Sequence, residues 1–182
     1  MTDQSLQFPR FYVTAPSPCP YLEGREERKV FTELRGEDAS ALNEALSRVG
    51  FRRSQSVAYR PACDLCSACV SVRLVASAFR PSRRMRKISS RNDDIRSEER
   101  PPVIRAEQYG LLKAYLETRH ADGGMAGMSM QEYADMVENS PVHTMLVEYR
   151  LPPDEDALTN DEKRGRLIAV ALTDVLSDGL SM

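Results

Sequence analysis

The sequence contains no apolar run approaching the roughly 20 residues that a membrane-spanning helix requires. Its first residues lack the charged start, apolar core and small-residue cleavage site of a secretory signal, so a cytoplasmic protein with no membrane partner is expected. Neither sign of charge dominates: 25 basic residues against 27 acidic give a formal net charge of −2 over 182 residues, which argues against a histone-like binder of nucleic acid. Histidine is scarce, with only His120 and His143, and the two stand in no metal-ligating spacing. No G-x-S-x-G, P-loop or dinucleotide fingerprint is present. No glycine sits in a pyrophosphate-holding loop of the kind coenzyme A needs. Internal repeats and long low-complexity segments are missing too. What remains, 41% hydrophobic and 29% charged residues, excludes disorder and indicates a soluble globular protein of one large or two small domains.

The balanced charge conceals a segregation. Between Phe51 and Arg91 stand ten basic residues against one acid, Asp64, a charge of +9 that leaves −11 for the rest of the chain. Nine of the ten are arginine, whose planar fork suits bidentate phosphate contacts. A polyanion partner and a solvated basic helix paired with acidic surface both fit this pattern.

Local patterns predict an α+β protein. Phe8–Thr14 and Lys29–Leu34 read as strands, the first running into the rigid Pro16–Pro20 turn. Asp38–Val49 reads as a helix, with Leu42, Ala45, Leu46 and Val49 at helical spacing, Asp38 as cap and Gly50 as stop. Arg53–Arg60 and Val70–Ser77 read as two strands flanking a cysteine knuckle, and Pro81–Ile95 as a basic helix. The proline-bearing stretch 96–102 reads as a linker between an N-terminal domain, 1–95, and a second domain, 103–182. In the second domain Ala106–His120 is a helix, Ala121–Gly127 a flexible loop, and Ser129 with Glu132 a capping box opening another helix. Val142–Arg150 and Arg166–Leu176 then form a strand hairpin around the charged loop Leu151–Gly165.

The most specific chemical signal is Cys63-Asp64-Leu65-Cys66-Ser67-Ala68-Cys69, two overlapping C-x-x-C steps. A C-x-x-C turn delivers two thiolates to one metal, and Cys19 could complete a four-thiolate site for zinc or an iron–sulfur cluster. A redox pair and ordinary buried thiols are the alternatives. His120 ends a helix, where the dipole favours a bound proton; a capping role is its alternative.

Gly50-Phe51-Arg52-Arg53-Ser54, Tyr59-Arg60-Pro61 leading into the cysteine cluster, Val72-Arg73 and Phe79-Arg80-Pro81-Ser82-Arg83 together resemble the bacterial aspartate/glutamate leucyltransferases, relatives of the eukaryotic arginyl-tRNA-protein transferases. The likeness continues through Cys19-Pro20-Tyr21-Leu22, Arg91-Asn92-Asp93-Asp94, Tyr115-Leu116, Arg119-His120, Gly123-Gly124-Met125 and Asp174 to Ser181, nearly the whole chain. It implies a cysteine-containing N-terminal domain followed by an N-acetyltransferase-like α/β domain with a mixed, mainly antiparallel sheet. In the family the chain runs on past Asp178-Gly179-Leu180-Ser181, so the resemblance implies a second domain cut short at Met182, which bears on activity. The implied enzyme moves leucine from leucyl-tRNA to proteins with N-terminal Asp or Glu, in N-degron protein degradation. The aminoacyl ester is already activated, so neither ATP nor CoA is expected.

Under this resemblance Arg52, Arg53, Arg60, Arg73, Arg80, Arg83 and Arg84 contact tRNA. Tyr59 either stacks on the unpaired acceptor end or belongs to the core. Arg60 or Arg73 supplies a cation for the acidic acceptor side chain. Asp174, which interrupts an apolar strand, is a candidate polar group near the amine beside His120; a solvent-facing aspartate at a strand end is its alternative. Two rival classes are a metal-stabilised RNA-binding module without catalysis and an acetyl-CoA-dependent N-acyltransferase.

Overall fold

The computed structural model describes residues 9–154, 159 and 162–182. The chain divides into two compact units, Met1–Leu74 and Val75–Met182. Both are mixed α/β with antiparallel sheets, and among the described residues there are four α-helices, none long and apolar enough to cross a membrane.

In the first unit the strands are β1 (Tyr12–Val13), β2 (Ser17–Pro18), β3 (Glu26–Glu27) and β4 (Lys29–Glu33), followed by helix α1 (Ala39–Arg48), β5 (Arg52–Ser54) and β6 (Val57–Pro61). One sheet runs β1-β4-β6-β5, and β2 with β3 forms a separate hairpin. Aromatic and β-branched side chains set the register, as such pairs do across antiparallel ladders. Phe31 lies opposite both Tyr12 and Tyr59, with the Tyr12 and Phe31 rings stacked at 5.5 Å. The helix buries Ala39, Asn43 and Leu46, and Leu34 and Ala58 are buried in the same unit. Its end is set by Gly50, whose φ of 90° is open to glycine and strained for other residues.

Several expectations need revising. Phe8 lies outside the described residues, and the first strand is only Tyr12–Val13. Asp38 precedes α1, but its side chain makes no capping hydrogen bond. The strand expected over Arg53–Arg60 is a tight hairpin that turns at Gln55, where φ is 51°. Val70–Ser77 forms no strand. Its alternating apolar residues find no partner ladder and stay exposed, Val72 at 89%, so the cysteines do not lie between two paired strands.

The second unit holds α2 (Arg83–Arg91), β7 (Arg96–Arg100), α3 (Ala106–Arg119), α4 (Met130–Glu138), β8 (Thr144–Arg150), β9 (Leu167–Val175) and β10 (Leu180–Ser181). Its sheet runs β10-β9-β8-β7, antiparallel throughout, and the hairpin expected of the two long strands is the β8–β9 pair. The stretch read as a linker carries edge strand β7, paired residue for residue with β8 from Arg96–Arg150 to Arg100–Leu146. Helix α2 is shorter than the expected Pro81–Ile95; Ser82 Oγ caps it by accepting from the Met85 N–H at 3.2 Å. Both halves of the Ser129–Glu132 capping box form. The core centres on Tyr133, Val137 and Leu146, with Tyr109, Leu112 and Leu172 packed against it. Residues 155–158, 160 and 161 of the charged loop lie outside the described residues.

Candidate functional site

In the first unit the chain after the cysteine cluster folds back over the C-terminal end of α1. Ser71 Oγ donates to the Gly50 carbonyl at 2.8 Å and fixes that return. The result is a pocket of about 580 Å³ whose lining includes Arg48, Arg60, Arg73, Cys69, Val49 and Val72, and no acidic side chain. Arg60 is set in place from two sides: its guanidinium lies over the Phe51 ring, 5.1 Å from the centroid, and donates to the Val49 carbonyl at 3.4 Å. That donation also offsets the partial negative charge of the helix end. Of the arginines expected to bind tRNA, Arg60 and Arg73 are therefore brought together.

The others are distributed. Arg52 stands opposite Tyr59 across the β5–β6 ladder, and Arg53 opposite Ala58. Tyr59 is half-buried, with the Lys29 ammonium 5.9 Å from its ring centre. In the second unit Arg83 and Arg84 begin α2, every residue of which is exposed, while Arg80 just ahead of it donates to the Phe79 carbonyl at 3.0 Å.

Cys19, Cys63, Cys66 and Cys69 are free thiols. Arg25 touches both cysteine segments: its carbonyl accepts from the Cys19 N–H at 2.8 Å and its guanidinium donates to the Leu65 carbonyl at 3.5 Å. The Cys63 thiol donates to the Arg28 carbonyl at 3.8 Å. Even so, among the described residues no group of three or more His, Cys, Asp or Glu side chains is placed to hold a metal ion. As the side chains stand, the described donors do not converge on a site for zinc or an iron–sulfur cluster.

The two candidate catalytic residues differ in setting. His120 is the exposed C-cap of α3, and its Nε2 shares a hydrogen bond of 3.2 Å with the Tyr115 hydroxyl, the rings meeting edge to face. Tyr115 in turn lines an apolar cavity of about 430 Å³ with Leu112, Met136 and Val170. Asp174 is buried at 5% exposure, opposite Thr144 and Ser181, and has an interaction partner, so the solvent-facing alternative does not hold.

A buried charge network in the second unit was not anticipated. Glu148, fully buried on β8, accepts hydrogen bonds from Gln108 Nε2 at 2.7 Å, Arg150 Nη2 at 2.9 Å and Arg164 Nη2 at 3.0 Å. Arg150, also buried, bonds Glu107 and donates to the Gly165 carbonyl at 2.9 Å. Burial alone would push the Glu148 carboxyl up, but the hydrogen bonds from Gln108 and Arg150 and the positive charges of Arg150 and Arg105 outweigh it and hold it below the usual range. Burial likewise opposes the charge on Arg150, and Glu107 and Glu148 more than offset it. A signal for this was present: Glu148 and Arg150 continue the inward phase of Thr144 and Leu146 along an alternating strand.

Two successive stretches of the chain match the two halves of one family description, the first reaching past Leu74 into the second unit. "Arginine-tRNA-protein transferase, N terminus" covers residues 17–87 and "Arginine-tRNA-protein transferase, C terminus" residues 107–182, which sets the class as tRNA-dependent protein transferases. Over the whole chain, and over 70% of each relative, the sequence is 61% identical to a protein of Rhodopseudomonas palustris, 59% to one of Bradyrhizobium diazoefficiens and 58% to one of Nitrobacter hamburgensis, all named aspartate/glutamate leucyltransferase. The chain belongs to the aspartate/glutamate leucyltransferase family.

Proposed function

We propose that this chain carries the transfer of leucine from leucyl-tRNA to the N-terminal α-amine of proteins beginning with Asp or Glu, the reaction that marks them for N-degron degradation. One observation carries the reading: end-to-end similarity at about 60% identity to proteins of that name, spanning both halves of the transferase description.

The chemistry asks little of a protein. The acceptor amine nitrogen attacks the ester carbonyl carbon, an amide bond forms, the bond to the ribose oxygen breaks, and the proton lost by nitrogen passes to that oxygen. His120, joined to the Tyr115 hydroxyl at the edge of the apolar cavity, is the group assigned to move that proton. Buried Asp174 is assigned a positioning role on β9, since an amine cannot approach a carboxylate enclosed in the sheet. The exposed arginines Arg80, Arg83 and Arg84 around α2, with Arg52 and Arg53 on β5, contact tRNA phosphates, a sequence-independent attraction that weakens steeply with salt. Tyr59 is packed within its sheet, which favours the core reading over base stacking. The order of α3, α4, β8 and β9, with β7 on the outer edge, supports the acyltransferase-like reading of the second unit.

The test supplies charged leucyl-tRNA and peptides differing only at residue one. Transfer to Asp and Glu peptides but not to Ala or Lys peptides supports the reading. Binding of tRNA without transfer to any peptide reduces the chain to an RNA-binding module.

A further inference from the structure

We propose that the arginine-lined pocket of the first unit is the specificity site for the acceptor protein, with Arg60 and Arg73 forming a two-armed clamp on the side-chain carboxylate of an N-terminal Asp or Glu. The inference rests on the transfer reading and adds to it the residues that choose the acceptor.

Charge complementarity is the first argument. The pocket lining includes Arg60 and Arg73 and holds no carboxylate to neutralise them. Arg48, the third arginine there, is paired to Glu44 at 2.7 Å. Arg60 is preorganised by Phe51 and the Val49 carbonyl, so little rotamer freedom is lost when it binds an anion. Arg73 follows directly on the Ser71–Gly50 hydrogen bond that pins the returning chain. An anion bridging the two makes charge-assisted bonds, which are shorter and stronger than neutral ones.

Shape is the second argument and separates a peptide side chain from an RNA phosphate. Val49, Pro61, Ala62, Val70 and Val72 add apolar lining beside the arginines, which suits the methylene groups of Asp or Glu better than a phosphodiester. A polynucleotide backbone is better served by the fully exposed, arginine-bearing α2. Discrimination follows from the same pairing. A neutral isostere leaves both guanidiniums without their anion and is rejected more strongly than a small change in size would be.

The experiment measures binding of the whole chain to four fluorescent peptides that begin Asp, Asn, Glu and Gln and are otherwise identical, alongside tRNA binding and leucine transfer. Wild-type protein is expected to prefer Asp over Asn and Glu over Gln by at least tenfold, and Arg60→Gln and Arg73→Gln each to lose about tenfold for the acidic peptides, equivalent to about 1.4 kcal/mol. Affinity for the amide peptides and for tRNA should change less than twofold. Circular dichroism verifies folding; if Arg60→Gln unfolds through loss of its Phe51 contact, Arg73→Gln, with no such packing, decides alone. Retention of the acid-over-amide preference in Arg73→Gln overturns the clamp, as does a variant that loses tRNA affinity while keeping that preference. The transfer assay separates the two levels: acid-selective binding without leucine transfer by wild-type protein sinks the transfer reading alone, whereas transfer with unaltered selectivity in the variants sinks the clamp alone.

Discussion

Replacing Glu148 by leucine probes the buried network of the second unit. The carboxylate is fully enclosed and accepts from Gln108, Arg150 and Arg164, so the substitution leaves the guanidinium of Arg150, itself 2% exposed, with Glu107 as its remaining carboxylate. Breaking a buried ion pair from one side costs roughly 3 to 5 kcal/mol, because the surviving charge keeps its burial and loses its partner. With a urea dependence of about 2 kcal/mol per molar, the unfolding midpoint should fall by about 1.5 to 2.5 M, followed by circular dichroism. A control is Lys113→Ala, which removes an exposed ion pair to Glu117 at 4.0 Å and should shift the midpoint by less than about 0.5 M. The pH dependence has a definite sign. The folded state holds Glu148 below its ordinary value of 4.5, so its contribution is complete above that value and is lost as pH falls through the folded-state pKa. The gap between wild type and Glu148→Leu should therefore narrow in acid. A Glu148→Leu midpoint within the shift of the Lys113→Ala control refutes the reasoning.

Gly165 has φ of 77°, and a Cβ there would run into the Leu151 carbonyl, so Gly165→Ala should cost at least about 1 kcal/mol and lower the melting temperature; an unchanged melting temperature contradicts this. Arg83→Gln and Arg84→Gln on α2 should each reduce the slope of log affinity for leucyl-tRNA against log salt by about 0.7 to 0.9, measured by filter binding, and slopes equal to wild type count against the phosphate contacts. His120→Gln should lower the rate of leucine transfer by about a hundredfold with tRNA affinity unchanged, and Tyr115→Phe by less; a loss under threefold for His120→Gln removes it from the proton path.

How much of this was readable in advance depends on how local each interaction is. α1, α3, the Ser129 capping box, β4 and the β8–β9 pair follow from periodicity and end signals contained in the elements themselves. The failures are non-local. Val70, Val72 and Leu74 alternate like a strand, but alternation does not provide a neighbour to bond with, and none is there among the described residues. Strand β7, Arg-Ser-Glu-Glu-Arg, looks like a linker because an edge strand tolerates charge, here on four of its five residues. The hairpin at Gln55 carries no Asn-Gly or Asp-Gly signature, and so reads as one continuous strand. Site residues divide in the same way. Arg60 and Arg73 were legible as cations near the cysteines, but their sharing of a pocket depends on the Ser71–Gly50 hydrogen bond, a long-range contact. The cysteine spacing places Cys63, Cys66 and Cys69 on one loop, and among the described residues no group of three or more ligating side chains is gathered there.

The central claim is tested most directly by incubating the protein with radiolabelled leucyl-tRNA and peptides that begin Asp, Glu, Asn, Ala or Lys, and counting leucine in the peptide fraction. The account predicts label on the Asp and Glu peptides and background on the other three. Equal labelling of Asn and Asp peptides, or none on any peptide while leucyl-tRNA remains intact and bound, would contradict it.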